Sequence, residues 1–335
     1  MSATKGNVVP LAELPPGRQA DCFAVLLDRA RGTTREGRPY FHCRFGDARR
    51  AVSLMVWSDD RWYAQAEAEW RPGQFYKLRV IYSEHERYGP QIELVNLRPV
   101  KDADTAEGFD PTTLVEMPPC EPTFMLGELR LLAETHIASE AHRSLVLDLL
   151  ERHADDLLRL PATRDRAYPY RGGLLEHTLA VATVAVDLVG RYATRFPKLS
   201  PPLNRDLVCA AAILHEIGRV AELGDESPVP AVTVAGRLAG ANVLGRDLIR
   251  DAARDRADLD PEWLALLEHL ILTRGADRGF ARGPIIPEGM ILQYADELDL
   301  EMALAARCLE RDAGPGPFTD REPALGRRLL KGRKV

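Results

Sequence analysis

A chain of 335 residues, 45% hydrophobic and 28% charged, matches soluble globular proteins of one or two domains and excludes a disordered, collagenous or fibrous chain. The formal net charge of −6 excludes a protein-wide positive field. Residues 1–100 nevertheless hold 15 basic and 12 acidic residues, a balance of +3 that leaves −9 for the remainder, so the front third is the favoured contact for a polyanion.

The first third reads as strands. Residues 22–27 (CFAVLL) form an apolar run, Gly37-Arg38-Pro39 is a turn, and residues 40–45 (YFHCRF) are rich in aromatics. Residues 51–57 are β-prone, 75–81 alternate, Tyr88-Gly89-Pro90 makes another turn, and 91–95 alternate again. Five short strands, with a helical patch over 62–70 between the third and fourth, suit a small barrel of OB type. An immunoglobulin-like sandwich, the alternative, calls for about seven strands.

Residues 101–122 are acidic, carry proline and show no sustained period, which reads as an extended linker. Residues 123–335 are helical. Asn204 is placed to cap a helix through Cys209 and His215. Asp260-Pro261-Glu262 opens another that Gly275 stops, and Pro287-Glu288 opens a long one through Asp296. The expected organisation is therefore multidomain: an all-β barrel over 1–100, a linker over 101–122 and an all-α domain over 123–335.

Five scattered cysteines (Cys22, Cys43, Cys120, Cys209, Cys308), never spaced as CxxC, indicate neither a disulfide framework nor a cysteine zinc site, and fit a reducing cytoplasm. No apolar run approaches the roughly 20 residues that span a bilayer. The longest, residues 179–186, ends at Asp187, and the first residues lack a signal-peptide stretch. A soluble, cytoplasmic protein with no membrane partner is expected.

Three separate helical stretches each place an imidazole or carboxylate among apolar neighbours. His177 follows Gly172-Gly173-Leu174-Leu175, His215-Glu216 follows Ala210-Ala211-Ala212-Ile213-Leu214, and Asp296 follows Met290-Ile291-Leu292. A charge there is costly unless paired or bound to metal. Imidazole with carboxylate suits Mn²⁺, Fe²⁺, Zn²⁺ or Ni²⁺, and the oxygen-rich share admits Mg²⁺.

The segments GGLLEHT (172–178), AILHEIGR (212–219) and YADELD (294–299) resemble the H…HD…D signature of HD-domain metal phosphohydrolases. A small OB barrel, a linker and then such helices is similar to the YhaM-type exoribonucleases, which remove nucleotides from the 3′ end of RNA. The resemblance implies His177, His215, Glu216 and Asp296 as metal ligands, with Glu216 at the position of the HD aspartate that bridges two metals. It implies His215, Glu216 and Arg219 as the catalytic group, Arg219 standing where the family has a lysine. His269, Arg274 and Glu288 match positions around the site, and for His269, among Leu266, Leu267 and Leu270, a core role is equally open.

The departures are equally specific. Glu216 adds a methylene to the bridging position. Ala167-Tyr168 stand where the family has two histidines, Gly240-Ala241 replace a Gly-His step, and Thr273-Arg274-Gly275 replace Ser-His-His-Gly. Four ligands remain, a complement for one divalent ion rather than two, so the implied activity is that of a 3′-5′ exoribonuclease-like phosphodiesterase with a degenerate site. A catalytically inactive RNA-binding or scaffolding protein of the same fold is the alternative, and hydrolysis of a small nucleotide a third.

In the barrel, Tyr40, Phe41, Arg44, Trp57, Tyr82, Arg87 and Tyr88 interleave aromatics with arginines, a composition that stacks bases and tracks phosphates. About half of them must point inward in a small barrel, Phe41 and Trp57 being equally suited to a core. The basic tail (Arg327, Arg328, Lys331, Arg333, Lys334) offers further phosphate contacts or is a solvated end. Single-stranded RNA is the expected partner, with DNA and self-association left open. No GxxxxGK[ST] loop, GxGxxG turn or GxSxG elbow is present.

Overall fold

The computed structural model describes residues 8–85, 89–116, 118–163, 166–224, 230–274, 283–312, 316–319 and 325–332. Packing divides the chain into two compact units, with the boundary in sequence between residues 117 and 118.

The first unit is a five-stranded barrel: β1 (Gln19–Thr33), β2 (Pro39–Gly46), β3 (Ala51–Trp57), β4 (Phe75–His85) and β5 (Gly89–Pro99), with α1 (Tyr63–Ala68) between β3 and β4. The strands close in the order β1-β2-β3-β5-β4, which is the OB arrangement. Closure depends on β1, which serves two neighbours. Its first half pairs with β4 (Gln19↔Ile81 to Val25↔Phe75) and its second half with β2 (Leu26↔Phe45 to Thr33↔Pro39). A bulge between Leu26 and Asp28 turns the strand from one partner to the other. The parallel contact Ser53↔Gln91 between β3 and β5 completes the ring.

Side-chain alternation then decides what faces inward. Phe41, Cys43 and Phe45 on β2 and Val52, Leu54 and Val56 on β3 fill the barrel with Trp70, Tyr76 and Tyr82. Within the stretch read as linker, two short 3-10 helices, Asp102–Glu107 and Pro111–Thr113, lie on this unit. Asp104 is buried and receives a bidentate pair from Arg98 at 2.7 and 2.6 Å. The Phe109 ring packs edge-on against Phe23 and Phe75 at 5.3 and 5.6 Å.

The second unit is all-helical: α2 (Pro122–His136), α3 (Glu140–Arg152), α4 (Ala154–Arg159), α5 (Gly173–Arg195), α6 (Arg205–Leu214), α7 (Arg219–Glu222), α8 (Val234–Ala253), α9 (Pro261–Thr273) and α10 (Pro287–Arg311). Asn204 caps α6 by accepting from Leu207 N at 3.0 Å, and Asp260 caps α9 by accepting from Glu262 N at 3.0 Å. Helix α6 is buried on all sides from Leu207 to Leu214, as a helix apolar all round must be, and α2, α5, α9 and α10 pack about it. Helix α5 reaches the length and mean hydropathy, 23 residues and 1.4, of a bilayer-crossing helix, but half of that stretch is buried in the helical core.

A candidate metal centre in the helical unit

The buried core helix α6 ends at His215, and the chain turns sharply through Glu216, Ile217 and Gly218 into α7. Only glycine fits at 218: a Cβ there would lie 1.9 Å from the carbonyl oxygen of Ala241 on α8. The two glycines ahead of His177 are also required. Gly172 has φ +77° in the cap of α5, and a Cβ on Gly173 would lie 2.3 Å from the carbonyl oxygen of Tyr168. These close approaches set His177, one turn into α5, beside His215. Helix α10 supplies Asp296 and, one turn on, Asp299.

The two imidazoles are oriented from behind. His215 Nδ1 lies 2.7 Å from the carbonyl of Ala212, which can only accept, so the proton is on Nδ1 and Nε2 carries a lone pair. His177 Nδ1 likewise donates to Asp299 Oδ2 at 2.7 Å, and Tyr168 Oη donates to the other oxygen of Asp299 at 3.0 Å. The two Nε2 atoms face each other at 3.2 Å. Asp296 Oδ1 lies 3.2 Å from His177 Nε2 and 4.0 Å from His215 Nε2, is buried, and accepts no hydrogen bond among the described residues.

Two imidazole nitrogens facing each other beside a buried carboxylate oxygen form a donor set that suits a divalent cation. Ligand nitrogens on a shared ion with bonds of about 2.1 Å stand roughly 3.0–3.4 Å apart, so the spacing fits one divalent metal. Glu216 offers an oxygen within 4.8 Å of both imidazoles, yet its oxygens already accept from Arg274 Nη1 at 2.6 Å and Arg219 Nε at 2.8 Å. Asp296 therefore completes the histidine pair more directly than Glu216 does.

The electrostatics agree. Burial pushes the His215 imidazole down to about 4, which keeps it neutral. Burial opposes charge on His177 too, but Asp296 and Asp299 outweigh it and raise the group to about 9, so without a metal this ring holds a second proton at neutral pH, and positive charge is favoured at this point. Burial also works against the Asp296 carboxylate, yet His177 and Arg274 hold it at about 2. For Glu216 the burial cost is overcome by Arg219 and Arg274, which keep it well below the usual carboxylate range.

The other residues singled out in the sequence divide between the cluster and the fold around it. Arg219 is engaged with Glu216 and Glu222, so it holds carboxylates instead of presenting an open guanidinium. His269 Nε2 accepts from Ile285 N at 3.2 Å, and Glu288 accepts from Asn204 N at 2.8 Å ahead of α6; both anchor the fold. Arg274 joins the cluster directly, bridging Glu216 and Asp296. Asp299, Tyr168 and Asn242, which bonds Arg274, carry no assigned role in the sequence reading. The i,i+3 spacing of Asp296 and Asp299 on one helix face was the available signal for the first; Asn242 offered none.

In the barrel, Tyr40, His42 and Arg44 of β2 stand opposite Trp57, Met55 and Ser53 of β3 on the outer face. The Tyr40 and Trp57 rings pair at 5.4 Å, and the Arg38 guanidinium lies 5.1 Å over Trp57. Phe41 and Tyr82 are corrected to the barrel core, because strand alternation turns them inward. Arg87 and Tyr88 lie outside the described residues. A groove of about 550 Å³ beside this face is lined by Ser53, Met55, Arg61, Trp62, Gln91 and Glu93. In the tail, Arg327 pairs with Glu301 and Lys331 with Asp312; Arg333 and Lys334 lie outside the described residues.

Comparison with known proteins gives this geometry a lineage. The HD domain family matches residues 174–301, a span that includes His177, His215, Glu216 and Asp296. The 3′-5′ exoribonuclease YhaM of Bacillus subtilis (strain 168) is 27% identical over 316 residues, 93% of this chain and 94% of its own. That of Bacillus licheniformis is 26% identical with the same coverage. Among solved structures, a domain of replication protein A from Methanococcus maripaludis aligns with 28% of this chain and 96% of its own, at 13% identity and a TM-score of 0.23. Near end-to-end similarity, a barrel of OB strand order and an HD domain whose signature residues meet in one place make this chain similar, along nearly its whole length, to the YhaM-type 3′-5′ exoribonucleases.

Proposed function

We propose that this chain is a metal-dependent phosphodiesterase that shortens single-stranded RNA from the 3′ end, using one divalent cation held by His177, His215 and Asp296. The observation that carries this reading is the convergence of two imidazole Nε2 atoms and a buried carboxylate oxygen on one point. The cation supplies a Lewis acid for a phosphoryl oxygen and acidifies water at neutral pH. The chain's own residues do the rest. Asp299 and the Ala212 carbonyl keep both imidazoles in the ligating tautomer. Arg274 and Arg219 hold Glu216 ionised. Tyr40, Trp57 and Arg44 on the outer barrel face supply stacking surface and positive charge for an unpaired strand.

Incubation of the purified chain with labelled RNA and Mn²⁺ tests the reading: mononucleotides are released from the 3′ end, and His215→Ala abolishes the release. A second reading, an RNA-binding protein without hydrolytic activity, is favoured by one observation, the guanidinium of Arg274 lodged against both carboxylates. A chain that retards single-stranded RNA in a gel, binds no metal and releases no nucleotide would establish it.

A further inference from the structure

Arg274 follows the last residue of α9, and its side chain is 10% exposed. Nη1 donates to Glu216 Oε1 at 2.6 Å and to Asp296 Oδ2 at 3.2 Å. The other oxygen of Asp296 is the one that faces the imidazoles, so this carboxylate has a histidine side and a guanidinium side. The arginine is locked in place by a reciprocal pair: Nη2 donates to Asn242 Oδ1 at 3.3 Å, and Asn242 Nδ2 donates to the carbonyl of Arg274 at 2.9 Å. A guanidinium keeps its proton in a protein, so the charge is permanent.

We infer that Arg274 is a built-in cation standing in for a second metal, and that it sets the capacity of this centre at one divalent ion. The inference rests on the one-cation reading above and supplies its cause. Charge accounting supports it. Among the described residues, the bonded network holds four carboxylates, Glu216, Glu222, Asp296 and Asp299, and two guanidinium groups, Arg219 and Arg274. One dication between the imidazoles brings that sum to zero, and a second leaves an uncompensated double positive charge in a buried site. Space agrees, since the oxygens through which Glu216 and Asp296 would share a second ion are the ones Arg274 holds. The longer side chain of Glu216 then has a purpose: it spans the two guanidinium groups as an anchor.

The test is metal stoichiometry on the full-length chain, stripped with chelator and titrated with Mn²⁺. Native mass spectrometry counts the ions, Mn²⁺ electron paramagnetic resonance distinguishes an isolated ion from an exchange-coupled pair, and circular dichroism checks folding. The natural chain is expected to hold one ion with the resolved hyperfine lines of isolated Mn²⁺. Arg274→Ala and Arg274→His are expected to hold two, with an exchange-broadened spectrum and a larger Mn²⁺-dependent rise in Tm, whereas Arg274→Lys stays at one. Two ions in the natural chain, or unchanged stoichiometry in either folded variant, would overturn the inference. RNA shortening is scored separately: a shift from one ion to two without nucleotide release keeps the inference and retires the nuclease reading.

Discussion

Asp299 acts at the centre without being a proposed ligand itself: it fixes the ring of His177 through Nδ1. Asp299→Asn replaces a carboxylate acceptor by an amide and frees His177 to change tautomer. Mn²⁺ affinity measured by calorimetry is expected to fall about 10- to 100-fold with the fold intact. Unchanged affinity would show that Asp299 is not the orienting group. The sequence displays His177, His215, Glu216 and Asp296 because each is a polar residue in an apolar run, where burial demands compensation. It hides Arg274's role, because the bond from Arg274 to Glu216 joins residues 58 apart and follows from where α9 ends. Tyr168 is hidden for a similar reason. Its φ of +52° is set by the fold around it, and only there does its hydroxyl reach Asp299.

Among the elements, β2 separates two kinds of aromatic that the sequence presents as one cluster. Trp57→Ala, opposite Tyr40 on the outer face, is expected to weaken single-stranded RNA binding by about 1–3 kcal/mol in a filter-binding or fluorescence titration, with little change in stability. Phe41→Ala, adjacent on β2 but buried, is expected to cost about 3–5 kcal/mol of stability by denaturant unfolding. The opposite pattern would reverse the assignment of faces. In the helical unit, Gly218→Ala pushes a methyl group into the backbone of α8, and unfolding is expected to show a loss of about 1–3 kcal/mol or more, because a carbonyl cannot rotate away as a side chain does. Strand and helix identities were legible from period and caps, and the caps at Asn204 and Asp260 form as read. The 3-10 turns that set Phe109 against the barrel were not, since three aromatic rings brought together by folding leave no local period.

For the molecule as a whole, the two units carry separate cores. The pair of Arg98 with Asp104 ties the chain leaving the barrel back onto it. The Arg98 bond to Asp104 outweighs the opposing cost of burial and lowers the carboxyl from its ordinary 3.8 to about 2. A carboxyl depressed on folding contributes stability that is full above its unfolded value and is lost as pH falls through its folded value. The difference in barrel stability between the natural chain and Asp104→Asn, read by hydrogen exchange on the strands, is therefore expected at neutral pH and should vanish toward pH 2. A difference that persists there would assign it to packing instead.

One strand also imposes an order of events on the ribosome. Because β1 must grip β2 with one half and β4 with the other, Gln19 has to wait for Ile81 to emerge, and Ser53 for Gln91, before any ring exists. Until then its apolar first half is an unpaired sticky edge. The later helices, built from near neighbours, consolidate turn by turn as they appear. The nascent polypeptide is thus most vulnerable to misassociation early in its synthesis, during the span between making its longest strand and making the two that shelter it.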